Sequence, residues 1–139
     1  MIYFNFETEF DLKNQKNITE WITNTIHAEK HKLEEISYIF CDDKYLLELN
    51  INYLDHNTLT DIISFDYSVG KLISGDIFIS IERVTENAKK FDVHFIDELH
   101  RVIIHGILHY CGYKDKTEND KTEMRNKENY YLELLNSSL

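Results

Sequence analysis

A chain of 139 residues, 42% hydrophobic with eight Phe and nine Tyr, is long enough to bury a core as one domain spanning 1–139. Its formal charge of −10 argues against a protein that coats nucleic acid through a broad basic surface, because phosphate neutralisation supplies most non-specific affinity. No run of about eighteen apolar residues occurs and the N-terminal MIYFNFETEF has no basic flank, so neither a membrane span nor a signal peptide is expected and the cytosol is the default compartment.

The acid is unevenly placed. Residues 1–80 carry 6 Lys and Arg against 14 Asp and Glu, whereas residues 81–139 carry 9 against 11, so a polyanion would bind near the second half. Cys41 and Cys111 are too few and too isolated for a disulfide framework or a zinc ribbon, and are expected as buried, reduced thiols.

In chain order, IYFNFE (2–7) alternates apolar and polar residues like a half-buried strand. Ile18, Trp21, Ile22, Thr25 and Ile26 recur on one face of an amphipathic helix. ISYIFC (36–41) is a second strand, after which Asp42 or Asp43 caps a helix through KYLLELNINY. DIISF (61–65) and GDIFISI (75–81) are β-branched and aromatic runs joined by a connection short enough for a hairpin-like return. Helices follow over roughly 82–91 and 96–111, and a last one begins at Thr117, with Asp120 at capping-box spacing, and runs to about Leu135. This order predicts an α/β (α+β) fold: a small mixed four-stranded sheet with a helical layer, in which three consecutive C-terminal helices form a layer of their own. With no internal repeat, low-complexity tract or proline, nothing marks a domain boundary.

One stretch carries chemistry. HGILHYCGYKD (105–115) holds His105 and His109 four apart in an otherwise apolar helix. Side chains at i and i+4 share a helical face and can grip one ion, as in the two-histidine half of HExxH zinc sites. The glutamate that acts as base in metalloproteases is missing, with Gly106 near its place. Histidines so spaced also arise simply as core residues. Three features favour a site: Gly112 is suited to end the helix in the left-handed conformation, Asp115 follows on a polar turn that can fold back, and Gly106 leaves room for a backbone or substrate beside the pair. Glu118 and Asp120 compete with Asp115 as further ligands, although the capping signal assigns them to the next helix.

HGILHYCGYKD resembles the H-G-x-L-H-L-x-G-Y-D-H signature of the YbeY family of metal-dependent rRNA maturation endoribonucleases. TDIISF (60–65), GDIFIS (75–80), DELHRVIIHG (97–106), LNINY (49–53) and the Met124–Glu128 spacing are similar to further motifs of that family, in the same order over roughly residues 45–130. The resemblance implies a site of three histidines at spacings of four and six residues. Two carry over to His105 and His109; the third position holds Asp115. Two His and one carboxylate form a known catalytic zinc set that leaves a fourth position for water. The exchange lowers the charge of the loaded site from about +2 to about +1, makes the water less acidic, and admits another divalent ion such as Mn2+ beside Zn2+. Lys114, where the family usually has Asp, partly restores positive charge.

A second departure is Leu54, which stands where the family has an Arg, with His56 nearby as a substitute cation or proton donor or as a merely solvated loop residue. Asp61 and Glu98 are expected behind the ligand imidazoles as hydrogen-bond acceptors, or as ordinary loop and helix residues. Arg83, Lys89, Lys90 and Arg101 would line a groove for RNA or, with Glu82, Glu86 and Asp92 as acidic neighbours, are merely solvated helix charges, and Tyr113 and Phe65 would stack on a base or serve as packing residues. The expected function is a zinc-dependent endoribonuclease in rRNA maturation and ribosome assembly. Its expected partners are an rRNA precursor and the ribosome or assembly factors, with no membrane and no DNA. The rivals are a metal-dependent hydrolase of another class and a non-enzymatic assembly factor stapled by its metal.

Overall fold

The computed structural model describes residues 1–56 and 58–138. Four strands, β1 (Ile2–Phe6), β2 (Lys32–Cys41), β3 (Ile62–Asp66) and β4 (Leu72–Ser80), form one mixed sheet in the order β1-β2-β4-β3. β1 and β4 both run parallel to β2, and β3 returns antiparallel to β4, with Ile62 opposite Ile79 and Asp66 opposite Gly75. The expected hairpin between the two β-branched runs is therefore present. β2 begins four residues earlier than its apolar alternation suggests. Lys32–Glu35 is pinned by pairing with Leu72–Ser74, across a register shift between Leu33 and Glu35. Such a segment owes its extension to a partner strand and not to its own pattern.

Five helices complete the fold: α1 (Gln15–Ala28), α2 (Asp43–Leu54), α3 (Ile81–Phe91), α4 (Phe95–Tyr110) and α5 (Glu118–Ser138). The stripe Ile18, Trp21, Ile22, Thr25 and Ile26 is the buried face of α1, as its periodicity predicts. It meets Ile36, Tyr38 and Phe40 of β2, Ile73, Ile77 and Ile79 of β4, and the apolar face of α4 in the main core. α5 packs on both α1 and α4, where Trp21 Nε1 donates to the Tyr131 carbonyl at 2.7 Å. α2 covers the opposite face through a smaller cluster of Leu46, Cys41 and Ile63. The three C-terminal helices thus form no separate layer: α4 lies directly on the sheet, and α1 shares its side because it has an apolar stripe of its own to bury. Cys41 is buried and Cys111 only half-buried, both as free thiols. Among the described residues no helix is long and apolar enough to cross a membrane.

Helix ends are fixed by side chains. Asp42, not Asp43, caps α2, accepting from the Tyr45 amide at 2.8 Å. At the start of α5, Thr117 Oγ1 accepts from the Asp120 amide at 3.0 Å while Asp120 Oδ2 accepts from the Thr117 amide at 3.3 Å, the reciprocal capping box that the spacing predicts.

The seat of α4 on the sheet positions everything that follows. Gly106 is buried, and a Cβ there would lie 3.0 Å from Ile77 Cδ1 and 3.2 Å from Ile62 Cδ1, so its missing side chain admits the sheet and not a substrate. One turn on, the Tyr110 hydroxyl reaches the Phe65 and Asp76 carbonyls at 3.1 and 3.0 Å, in space left free by Gly75. Tyr38 donates to the Ile103 carbonyl at 3.0 Å. Close approach and these bonds fix the helix along and about its axis, leaving His105 and His109 half-buried on its flank, with His105 beside Ile62 of β3.

Candidate metal centre

α4 ends in a Schellman turn: the Gly112 amide donates to the His109 carbonyl at 3.0 Å and the Tyr113 amide to the Leu108 carbonyl at 3.0 Å, with Gly112 at φ 104°. The chain thereby reverses and returns Asp115 to the face that bears the histidines. His105 Nε2 and His109 Nε2 are 2.9 Å apart, and Asp115 Oδ2 lies 3.4 Å from the first and 3.2 Å from the second.

Proton bookkeeping decides what this triangle is. His109 Nδ1 stands 2.9 Å from the Tyr113 carbonyl, which can only accept, so that nitrogen carries the proton. His105 Nδ1 donates to Glu128 Oε2 at 2.7 Å. In the neutral rings both Nε2 atoms are then bare lone pairs, and with a carboxylate oxygen they make three acceptors converging on one point. Such an arrangement calls for a cation. Burial disfavours a charged His105, yet the hydrogen bond to Glu128 and the negative charges of Glu128, Asp115 and Asp61 outweigh it and raise the pKa of this imidazole. Burial likewise works against an ionised Glu128, but the hydrogen bonds from His105 and Arg101 hold its carboxyl below the usual range. The donor set, two imidazoles and a carboxylate with their other nitrogens tied back, fits a zinc-type divalent ion. Among the described residues, His105, His109 and Asp115 are the group of three that could hold one.

The other expected residues divide. Glu118 pairs with Lys121 at 3.8 Å and Asp120 is spent on its cap, so neither joins the triangle. Asp61 and Glu98 line a cavity of about 320 Å3 beside His105, but neither accepts from an imidazole; that role falls to Glu128 and the Tyr113 carbonyl. Burial raises the pKa of Asp61, with His105 opposing, and burial together with the charge of Asp61 raises that of Glu98.

Of the four cations expected along a groove, only Arg101 borders this cavity, and its guanidinium is held by Glu128 and Asn129 at 2.8 Å each. Arg83 is drawn to Asp43 instead, at 2.7 Å, where it ties the start of α3 to that of α2. Lys89 lies 3.7 Å from Glu86 and Lys90 sits over the Phe91 ring. The sequence motifs single out neither of two further cations: Lys121, and Arg125, largely exposed and 3.7 Å from Glu128, which lines both the cavity with Asp61 and a second one of about 270 Å3 with Lys121 and Asp115. The signal for Arg125 was present as the charge between Met124 and Glu128 on one helix.

His56 and Leu54 line a separate cleft of about 360 Å3 with Asn50 and Thr60, divided from the triangle by Ile62, which borders both. Both aromatics are engaged by neighbours within the fold. The Tyr113 hydroxyl donates to Glu29, and Phe65 packs edge-on to Phe78 and Tyr53.

A mixed sheet carrying a helix–turn with two imidazoles and one carboxylate defines a class: a small α+β protein organised around a group able to hold a divalent ion. The family model described as Endoribonuclease YbeY matches residues 3–136. Proteins named Endoribonuclease YbeY from Flavobacterium johnsoniae and Bacteroides thetaiotaomicron are similar throughout. The first is 60% identical over 128 residues, 92% of each chain, and the second 48% identical over 122 residues, 88% of each. The solution structure of TM1509 from Thermotoga maritima superposes with a TM-score of 0.69 at 27% identity, over 97% of this chain and 89% of that one. The chain belongs to the endoribonuclease YbeY family.

Proposed function

We propose that this protein is a zinc-dependent endoribonuclease of rRNA maturation, with the ion held by His105, His109 and Asp115. The observation that carries the reading is the convergence of His105 Nε2, His109 Nε2 and a carboxylate oxygen of Asp115 within 3.4 Å of one another. Membership of an endoribonuclease family supplies the substrate, RNA. His105, His109 and Asp115 would hold a divalent ion that, when bound, would supply Lewis acidity at a phosphodiester and offset the negative charge there.

The side chains do the rest. Glu128 and the Tyr113 carbonyl keep a proton on each Nδ1, so both lone pairs stay directed inward. Arg125 and Lys121, on one face of α5 beside the triangle, bind phosphates flanking the scissile bond, while Arg101 holds Glu128 in place. His56, across Ile62, supplies the cation or proton donor that Leu54 does not. The protein acts in the cytosol on rRNA precursors during ribosome assembly, with the ribosome or its assembly factors as partners. Mn2+ would suit the carboxylate-containing site as well as Zn2+. Leu54 favours a second reading, a non-catalytic assembly factor whose metal staples turn to helix.

Structured RNA, with peptide and ester controls, separates the alternatives. Expected are cleavage of RNA alone, its loss with chelator and in His105→Ala, and a large loss of bound metal in Asp115→Ala. Arg125→Ala should raise KM more than it lowers kcat and reduce the salt slope of binding by about one. RNA cleavage surviving mutation of both histidines would overturn the enzymatic reading; metal binding without any cleavage would favour the assembly factor.

A further inference from the structure

Asp115 is the least supported corner of the triangle. Its side chain is 45% exposed, and among the described residues its carboxylate meets no side chain other than the two imidazoles. Its position therefore depends heavily on the backbone of the turn that carries it. That turn is anchored at Tyr113, two residues earlier: its amide is bound to Leu108, its carbonyl to His109 Nδ1, and its hydroxyl donates to Glu29 Oε1 at 2.7 Å.

Glu29 sits directly after α1, at the negative end of the helix dipole, where a carboxylate is disfavoured. Local preference is violated there, and the compensation is tertiary. The other oxygen, Oε2, accepts from the Tyr131 hydroxyl and lies 3.5 Å from Lys127 Nζ, both on α5. The ammonium of Lys127 also lies over the Tyr113 ring at 5.7 Å from its centroid. Burial penalises the ionised carboxyl, but the hydrogen bonds from Tyr131 and Tyr113 and the charge of Lys127 hold its pKa below the ordinary value. Glu29 is thus an ionised, doubly engaged strut between two helices and the turn.

We propose that Glu29 is a positioning residue for the metal site, acting through the Tyr113 hydroxyl to preorganise the turn that orients His109 and presents Asp115. The inference rests on the reading of the triangle as a metal site. Preorganised donors bind more tightly because less freedom is lost on loading, and outer partners of metal ligands commonly govern affinity.

The test measures Zn2+ affinity by competition with a chromophoric chelator, and the visible spectrum of the Co2+-loaded protein, in Tyr113→Phe, Glu29→Gln, the double variant and His105→Ala. Tyr113→Phe removes one oxygen atom and keeps the ring, so it reports even if Glu29→Gln folds poorly. Each single variant should weaken Zn2+ binding about tenfold and alter the Co2+ ligand-field bands. The double variant should lose little more than the weaker-binding single, because both substitutions act on the turn through the one Tyr113–Glu29 contact. A lowered melting temperature with unchanged Zn2+ affinity and Co2+ spectrum in both singles would make Glu29 merely structural and overturn the inference. Loss of metal in His105→Ala beside those results confines the failure to Glu29, whereas metal retained by His105→Ala would overturn the triangle itself.

Discussion

Glu128 lies 23 residues beyond His105 in the chain and 2.7 Å from its ring in space. The carboxylate does two jobs, fixing the His105 tautomer with one oxygen and receiving Arg101 with the other. Glu128→Gln keeps the shape but removes the charge. It should lower zinc affinity by about ten- to a hundredfold with little change in fold, as read by chelator competition and circular dichroism; unchanged affinity would remove Glu128 from any orienting role. The candidate ligands were legible in the sequence because their geometry is local: four residues of helix, a glycine stop and a three-residue return. Their supports were not. One is a backbone carbonyl, which has no residue signature, and the other arrives on a different helix. Asp61 and Glu98 attracted the orienting role as the carboxylates near the motifs, whereas distance to Nδ1 decides it. Arg83 stands 40 residues from Asp43 in the chain, so their pairing at 2.7 Å has no local signature.

Among the elements, those with strong periodicity came through intact: the stripe of α1, the capping box of α5, the hairpin of β3 and β4. What periodicity cannot carry is pairing, and so the early start of β2 and the location of α1 beside α4 needed the sheet. The tightest junction between elements is Gly75 beneath Tyr110. A Cβ at Gly75 would meet the Tyr110 oxygen at 2.5 Å and the Phe65 carbonyl at 2.6 Å, and the carbonyl, as backbone, cannot swing aside. Gly75→Ala should therefore cost about 1–3 kcal/mol, as overpacking does. Tyr110→Phe, which only deletes the hydroxyl, should cost about 1 kcal/mol. Urea unfolding of the two variants checks the order; a Gly75→Ala protein as stable as wild type would show that α4 is less firmly seated than its contacts imply.

Across the whole molecule, ionised carboxylates join elements that are distant in sequence: Asp43 joins α2 to Arg83 on α3, and Glu29 joins α1 to Tyr131 and Lys127 on α5. In both, burial opposes ionisation but the partners prevail, holding the pKa below its ordinary value. A carboxylate depressed in the folded state contributes stability that is complete above its unfolded value of about 4 and is lost as pH falls through the folded value. Asp61 and Glu98, raised chiefly by burial, act in the opposite sense, so mild acidification first relieves them. Asp43→Asn and Glu29→Gln should be less stable than wild type at pH 7, with the gap narrowing as pH falls below the unfolded carboxylate value of about 4. Unfolding curves that stay parallel across that range would deny the linkage.

The strand order has a temporal consequence as well. β4 is the last strand made, yet it lies between β2 and β3, so until residue 80 leaves the ribosome β3 has no partner and one edge of β2 stays open. Because most of the sheet joins distant parts of the chain, assembly is slow to begin and its intermediates expose bare edges. A nascent chain halted near residue 70 should therefore be aggregation-prone, and the histidine helix gains its seat over Gly75 and Ile77 only once β4 is in place.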